Sequence, residues 1–228
     1  MAKQMAFYFD ASACNGCKAC VVACKSENAL PVGISWRQVY EYGSGTWIQH
    51  PERRDIMMPS GLFVYPLSTA CMHCENPVCA DVCPSSAIFK REEDGIVLID
   101  VDKCIGCRYC EWACPYGAPQ YDENSGKMTK CDFCQDLLAK GEEPFCTSAC
   151  VMRALEFGEL EELRAKYGDV DAIEPLPPAE ITGPSVVLTP HRDSQPSGQG
   201  TGTHDNRRMF MAEPMETIEI ETLQEEEG

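Results

Sequence analysis

Short apolar runs, none of them long, alternate along this chain with polar stretches dense in cysteine. Met-Ala-Phe-Tyr-Phe-Asp at 5–10 predicts a strand of aromatic residues. Ile-Val-Leu-Ile-Asp at 96–100 predicts another, and Ala87 to Lys90 a partner that joins it across the acidic, glycine-ended turn Glu-Glu-Asp-Gly. Between them lie Trp36, Tyr40, Tyr42, Trp47 and Tyr65. Rings so spaced belong to strand cores more often than to an electron relay. Further on, Leu155 to Phe157 predicts a strand and Glu159 to Lys166 a helix stopping near Gly168. From Pro175 to Gly202, proline and glycine interrupt every apolar run and leave Ser185 to Thr189 as the only strand-like piece. Such a stretch cannot bury a core of its own, so it either wraps a neighbour or stays disordered. No run approaches the ~18 apolar residues of a membrane span, so membrane contact is expected only through a partner.

The chemistry lies in the cysteines. Sixteen of the 228 residues are cysteine, grouped as Cys14, Cys17, Cys20, Cys24; Cys71, Cys74, Cys79, Cys83; Cys104, Cys107, Cys110, Cys114; and Cys131, Cys134, Cys146, Cys150. The third group, closed by Pro115, has the bacterial ferredoxin spacing Cys-x2-Cys-x2-Cys-x3-Cys-Pro, which holds 4Fe-4S clusters. Four quartets of four thiolates imply four such clusters. A disulfide scaffold is the weaker reading: no charged segment followed by an apolar run opens the chain, and thiols this crowded in sequence suit pairing poorly. A zinc-stapled binding module would use separated pairs of ligands. An autonomous enzyme lacks its motif: there is no phosphate loop, no nucleotide fingerprint, and no cysteine left over as a nucleophile. His73, inside Cys-Met-His-Cys, suits a hydrogen-bonding or interface role better than ligation, since four cysteines are at hand. Lys18, Lys25, Arg108 and Lys130 either tune cluster potentials or offset negative cubanes.

The quartets repeat. Asp10, Gly16 and the four cysteines of the first match Asp100, Gly106 and those of the third at a constant offset of 90. Gly16 and Gly106 are expected where backbone must approach a cluster and offer N–H donors to its sulfides. Quartets two and four form the looser pair, each with an alanine four residues past its last cysteine, Ala87 and Ala154. The strand pair between Cys83 and Cys104 joins quartets two and three into one module, and by elimination quartets one and four form another around it. The expected fold is therefore α+β, two nested bacterial-ferredoxin-like two-cluster modules with an extended irregular C-terminal tail. The outer module takes residues 1–30 and 120–168, an aromatic-rich insertion 31–70, the inner module 71–119 and the tail 169–228. In ferredoxins the fourth cysteine of each run ligates the other cluster of its pair. That rule predicts Cys14, Cys17, Cys20 with Cys150 as cluster 1 and Cys131, Cys134, Cys146 with Cys24 as cluster 2. It further predicts Cys71, Cys74, Cys79 with Cys114 as cluster 3 and Cys104, Cys107, Cys110 with Cys83 as cluster 4.

Charge excludes one class of partner. The net charge is −17, and residues 155–228 carry 17 acidic side chains against 5 basic ones. Nucleic acid, which is held through lysine and arginine, is not expected. Residues 211–228 hold seven glutamates and no basic residue, and read as a solvated tail or a docking strap.

With the quartets in view, the chain resembles the iron-sulfur electron-transfer subunits of the dimethyl sulfoxide reductase family. The resemblance rests on Cys-Lys-Ala-Cys-Val-Val-Ala-Cys-Lys at 17–25, Arg-Gln-Val-Tyr-Glu-Tyr at 37–42 and Cys-Ile-Gly-Cys-Arg-Tyr-Cys at 104–110. It continues through Ala-Cys-Pro-Tyr-Gly-Ala-Pro-Gln-Tyr at 113–121 and Lys-Met-Thr-Lys-Cys-Asp at 127–132, and covers roughly residues 5–190. It implies a wire rather than a catalyst. Electrons would pass from an integral membrane quinol-oxidising anchor subunit, through the four clusters, to a molybdopterin catalytic subunit that reduces dimethyl sulfoxide or a similar substrate. It puts the Cys14 cluster nearest molybdenum and the Cys104 cluster nearest the quinol. The subunit would be peripheral to the membrane, without its own signal peptide, on a side left open, export with the catalytic subunit included. Val151 departs from the proline many relatives carry after the last cysteine. Nitrate reductase relatives replace the cysteine matching Cys107 by tryptophan and hold a 3Fe-4S cluster; here the cysteine is present. Formate dehydrogenase relatives often add a C-terminal membrane helix, so the lack of a long apolar run favours the dimethyl sulfoxide reductase branch. The equivalent subunit of a polysulfide, arsenate or formate enzyme of molybdenum or tungsten, or a free polyferredoxin, remains the alternative.

Overall fold

In the computed structural model, which describes residues 3–205, short helices and strands alternate around the cysteine runs. Strand β1 (Met5–Asp10) leads through the first quartet into α1 (Ala19–Glu27), and a long hairpin of β2 (Gln38–Gln49) and β3 (Met57–Thr69) follows. The second quartet contains α2 (Val78–Asp81); β4 (Ile88–Lys90) and β5 (Val97–Ile99) then carry the chain to the third quartet and α3 (Tyr109–Ala113). Strands β6 (Gln120–Asp122) and β7 (Lys127–Thr129) precede the fourth quartet, which holds α4 (Gln135–Leu138) and α5 (Phe145–Ser148). Strand β8 (Leu155–Glu159), α6 (Leu160–Tyr167), β9 (Val186–Thr189) and β10 (Thr203–Asp205) complete the order.

Strand β1 is the centre of a sheet, antiparallel to β8 and parallel to β9. Its unbroken apolar run follows from this position, because both of its faces are covered. Met5, Phe7 and Phe9 join the main core with Val186 and Leu188, whereas Ala6 and Tyr8 turn the other way, toward Val187 and Leu163. Helix α6 covers that second face. It is held by the Tyr8–Tyr167 ring stack at 3.6 Å and by the Tyr167 hydroxyl, which donates to Glu156 at 2.6 Å. The helix stops at Gly168, whose φ of 94° is open to glycine at little cost.

The stretch beyond residue 168 departs from a free tail. Val186, Val187 and Leu188 are buried beside β1, since three adjacent apolar side chains gain most where both sheet faces are covered. Upstream of β9, the carbonyls of Gly183 and Thr182 accept the N–H groups of Glu75 at 2.7 Å and Asn76 at 3.0 Å. Downstream, β10 pairs with β2. What residues 169–205 wrap is thus this protein's own second quartet and hairpin. The glutamate-rich run at 211–228 lies outside the described residues.

At its base the hairpin is core: Val39, Tyr42, Tyr65 and Leu67 are buried, and Tyr42 and Tyr65 are paired across it. Toward its turn the ribbon leaves the body, and Trp47 stands 67% exposed, so not every ring of the insertion is packed.

Candidate metal centres

The offset of 90 residues is a repeat of geometry as well as of sequence. Gly16 and Gly106 both have φ of 71°, and Lys18 and Arg108, at φ 63° and 65°, cap α1 and α3 in the same left-handed conformation. The Asp10 carboxylate accepts the N–H groups of Ser12 and Ala13 at 2.8 and 3.1 Å, as the Asp100 carboxylate accepts those of Asp102 and Lys103 at 3.1 and 3.3 Å. Each aspartate thereby sets the turn that starts its quartet. Gly106 is held twice over, because a Cβ there would overlap the carbonyl oxygen of Gly126.

Quartets two and four repeat in their own way. His73 and Phe133, each between the first two cysteines of its run, have φ of 44° and 65°. Pro77 and Pro144 cap α2 and α5 just ahead of Cys79 and Cys146. The N–H of Ala87 points at the Cys83 sulfur at 3.2 Å, and that of Ala154 at the Cys150 sulfur at 3.3 Å. Amides aimed at sulfur lower its charge density and suit a ligating thiolate.

All sixteen cysteines are free thiols, and many of them lie near enough to act on one another's charge. Burial pushes Cys14 up to about 11, and the charges of Cys20, Cys150 and Cys17 add to it. Burial likewise raises Cys24 to about 12, with Cys146 and Cys134 adding; Cys134, at about 11, answers to burial and then Cys146. Cys131 is driven well above its ordinary value by burial, then by Cys24, Cys71 and Cys146. Cys79, at about 12, is raised by burial and then by Cys71, Cys114 and Cys74. Cys110, at about 11, is raised by burial and then by Cys104, Cys107 and Cys83. Cys71, Cys74, Cys79 and Cys114 also wall one cavity together with Lys130 and Thr182. A crowd of buried thiols that resist ionisation is stabilised by a cation that takes their protons' place. Soft thiolate donors in fours, with positive-φ turns and amides facing the sulfurs, fit an iron-sulfur cubane.

The basic residues divide. Lys18 pairs with Glu41 at 3.5 Å, and Arg108 with Glu111 at 2.8 Å while lying over the Tyr121 ring at 5.1 Å. Lys25 donates to the Ile34 carbonyl at 2.7 Å and ties α1 to the following loop. Lys130 is buried, donates to the carbonyls of Val97 and Cys131, and eases the charge of Cys79. His73 is buried, and its Nδ1 accepts the Val97 N–H at 3.0 Å, which leaves the ring proton on Nε2. Burial, followed by Lys130 and Lys90, lowers its pKa well below the usual value, so the ring is neutral. Two residues to which the sequence assigned no role stand beside the thiols. Ser68 Oγ lies 3.5 Å from Cys20 Sγ, and Arg37 donates through Nη1 to that hydroxyl at 3.1 Å. Arg37 opens the Arg-Gln-Val-Tyr-Glu-Tyr stretch, but nothing local points it at a cluster, and no local pattern marks Ser68.

Family models described as a 4Fe-4S dicluster domain match residues 62–160 and 13–88. The B subunit of the anaerobic dimethyl sulfoxide reductase of Escherichia coli (strain K12) is 47% identical over 216 residues, covering 95% of this chain and all of that protein. This chain therefore belongs to the family of dimethyl sulfoxide reductase B subunits. Another B subunit of that description, from Haemophilus influenzae, is 44% identical over 90% of this chain and 98% of its own length. The B subunit of the polysulfide reductase of Wolinella succinogenes is 39% identical over 84% of this chain and 97% of its own length. As a member of the family, the chain is an iron-sulfur electron-transfer subunit of an oxidoreductase complex rather than its catalyst. Its sixteen cysteines and two dicluster matches correspond to four 4Fe-4S clusters.

Proposed function

We propose that this subunit relays electrons from a membrane quinol-oxidising anchor to a molybdopterin catalytic subunit that reduces dimethyl sulfoxide or a close analogue. The observation that carries the substrate class is the 47% identity to a dimethyl sulfoxide reductase B subunit over nearly the whole chain, against 39% to the polysulfide reductase counterpart. Among the described residues no helix is long and apolar enough to cross a membrane, which suits a peripheral subunit held by its anchor. Copurification tests the reading. The catalytic subunit recovered with this chain should reduce dimethyl sulfoxide with quinol as donor; a partner specific for polysulfide, arsenate or formate would replace it.

The thiols divide into two nested pairs of clusters on this reading. Cys14, Cys17, Cys20 and Cys150 hold one, Cys131, Cys134, Cys146 and Cys24 its neighbour, around an inner pair held by Cys71, Cys74, Cys79, Cys114 and by Cys104, Cys107, Cys110, Cys83. The charges that act on Cys14, Cys24, Cys79 and Cys110 come from these same partners, which supports the division. Strand pairing supports the nesting: β8 lies on β1 as β4 lies on β5. The two dicluster matches overlap across residues 62–88, so they do not partition the quartets.

When bound, the clusters supply one-electron stations. The protein's contribution is to set their order and exclude water. Cys71 bears on the charge of Cys131 across the boundary between the outer and inner groups, which favours this point for the passage between modules. At the far end of the inner group, Ile105, Tyr109 and Trp112 stand exposed on the Cys104 run, with the Tyr109 and Trp112 rings 5.7 Å apart. An apolar surface beside the terminal ligands fits the anchor, and leaves the Cys14 end for the catalytic subunit.

A further inference from the structure

Arg37 is the most deeply buried lysine or arginine among the described residues, 2% exposed, at the start of the hairpin that separates α1 from the second quartet. A buried guanidinium ordinarily has a carboxylate partner, because an unpaired charge in the interior costs several kcal/mol. Among the described residues no aspartate or glutamate pairs with this one. Its Nη1 is satisfied by Ser68 Oγ at 3.1 Å, and its carbon face lies over the Phe7 ring at 4.6 Å. Nε and Nη2 are buried with no hydrogen-bond partner. Cys146, Cys20, Cys131 and Cys24 are the thiols whose charge bears on it. Cys20 belongs to cluster 1 in the reading above, and the other three belong to cluster 2. The backbone N–H of Arg37 also faces the Cys24 sulfur.

We infer that Arg37 is a positioning residue for electron transfer: a fixed positive charge set between clusters 1 and 2, whose unpartnered Nε and Nη2 donors are kept for cluster sulfur and which raises the potential of both. The physical reason is the sign of the charge that reduction adds. A reduced cubane is one unit more negative than the oxidised one, so a buried cation and its donors favour the reduced form. Low local dielectric makes the effect large, and one residue serves two stations because it lies between them. Ser68 extends the same contact to Cys20 through its hydroxyl. Arginine suits the place better than lysine, since it cannot lose its proton when buried and its planar fork can address two groups at once.

This inference rests on the ligand division proposed above, and one experiment separates the two. The intact complex is purified without oxygen as wild type, Arg37→Met and Arg37→Lys, and iron content and midpoint potentials are read by analysis and by redox titration followed by electron paramagnetic resonance. Wild type should show about sixteen iron atoms per chain and four components; fewer would sink the four-cluster reading whatever Arg37 does. In Arg37→Met, two of the four potentials should fall together while the other two stay. Arg37→Lys, which keeps a charge and loses the fork, should lower the same two by less. Loss of iron in Arg37→Met confined to those two clusters would agree with the inference, and the lysine variant then carries the comparison. Four unchanged potentials in both loaded variants, or an equal shift or loss in all four clusters, would overturn it.

Discussion

The backbone N–H of Asp10 donates to the carbonyl of Ala154 at 2.8 Å, and ninety residues later Asp100 repeats the bond with Ala87 at 2.7 Å. Both aspartates open a quartet, and both alanines stand just past the last cysteine of another. Quartet one is therefore seated on quartet four as quartet three is seated on quartet two. On the proposed ligand division, quartets so seated share their clusters. Cys24→Ser is expected to disturb the same paramagnetic component as Cys134→Ser, although the two stand 110 positions apart, and to spare the one disturbed by Cys17→Ser. If Cys24→Ser and Cys17→Ser instead disturb one component and Cys134→Ser another, each quartet is self-contained.

Metal content checks the chemistry of the donor set. Anaerobic protein should hold about sixteen iron atoms and as much acid-labile sulfide, because four thiolates serve each cubane. Chelation should unfold it, since so much of the core is ligand. Substantial zinc, or an apo-protein that melts cooperatively at the same temperature, would contradict this.

Gly16 and Gly106 share a φ of 71° but not a neighbourhood, which makes them a controlled pair. At Gly16 an added Cβ would meet Pro66 Cβ at 3.5 Å, an ordinary contact, so Gly16→Ala should cost only the left-handed strain of roughly 1–2 kcal/mol. At Gly106 the same atom collides with backbone, and Gly106→Ala should cost roughly 1–3 kcal/mol more. Thermal unfolding of the loaded protein is the measurement. Equal losses at the two sites would show that the Gly106 turn yields freely.

Replacing Cys107 by serine or tryptophan should convert one cluster to a 3Fe-4S form with a new paramagnetic signal in the oxidised state. Quinol-dependent turnover should fall while reduction by artificial donors is spared. Equal loss with both donors would place this cluster away from the quinol.

The exposed rings beside that quartet offer a test of docking. Trp112 is 72% exposed and Ile105 66%, and an anchoring aromatic at an interface is worth roughly 2 kcal/mol or more when removed. Ile105→Glu combined with Trp112→Glu should release the subunit from membranes while its iron content stays whole. Retention on the membrane would assign this patch elsewhere.

The cysteine spacings were legible in the sequence because ligand geometry around a cubane is local: a tight turn with glycine and two-residue gaps is written in consecutive residues. For the same reason the β4–β5 pair and the stop of α6 at Gly168 could be read directly. Local reading also found the offset of 90, since the two turns are built from the same residues. Three features were decided only by tertiary structure. The tail stretch around Val186 looks too broken to pack, yet it completes the sheet on β1, because burial there depends on a strand at the far end of the sequence. Trp47 looks like its neighbouring rings, but the ribbon carries it out of the core. Arg37 opens a recognisable stretch, but the stretch does not say what it faces; that comes from Cys20, Cys24, Cys131 and Cys146 lying around one buried charge. Sequence spacing fixes what a short turn can hold; which turns face one another, and what charge lies between them, is set by long-range packing that leaves no local mark.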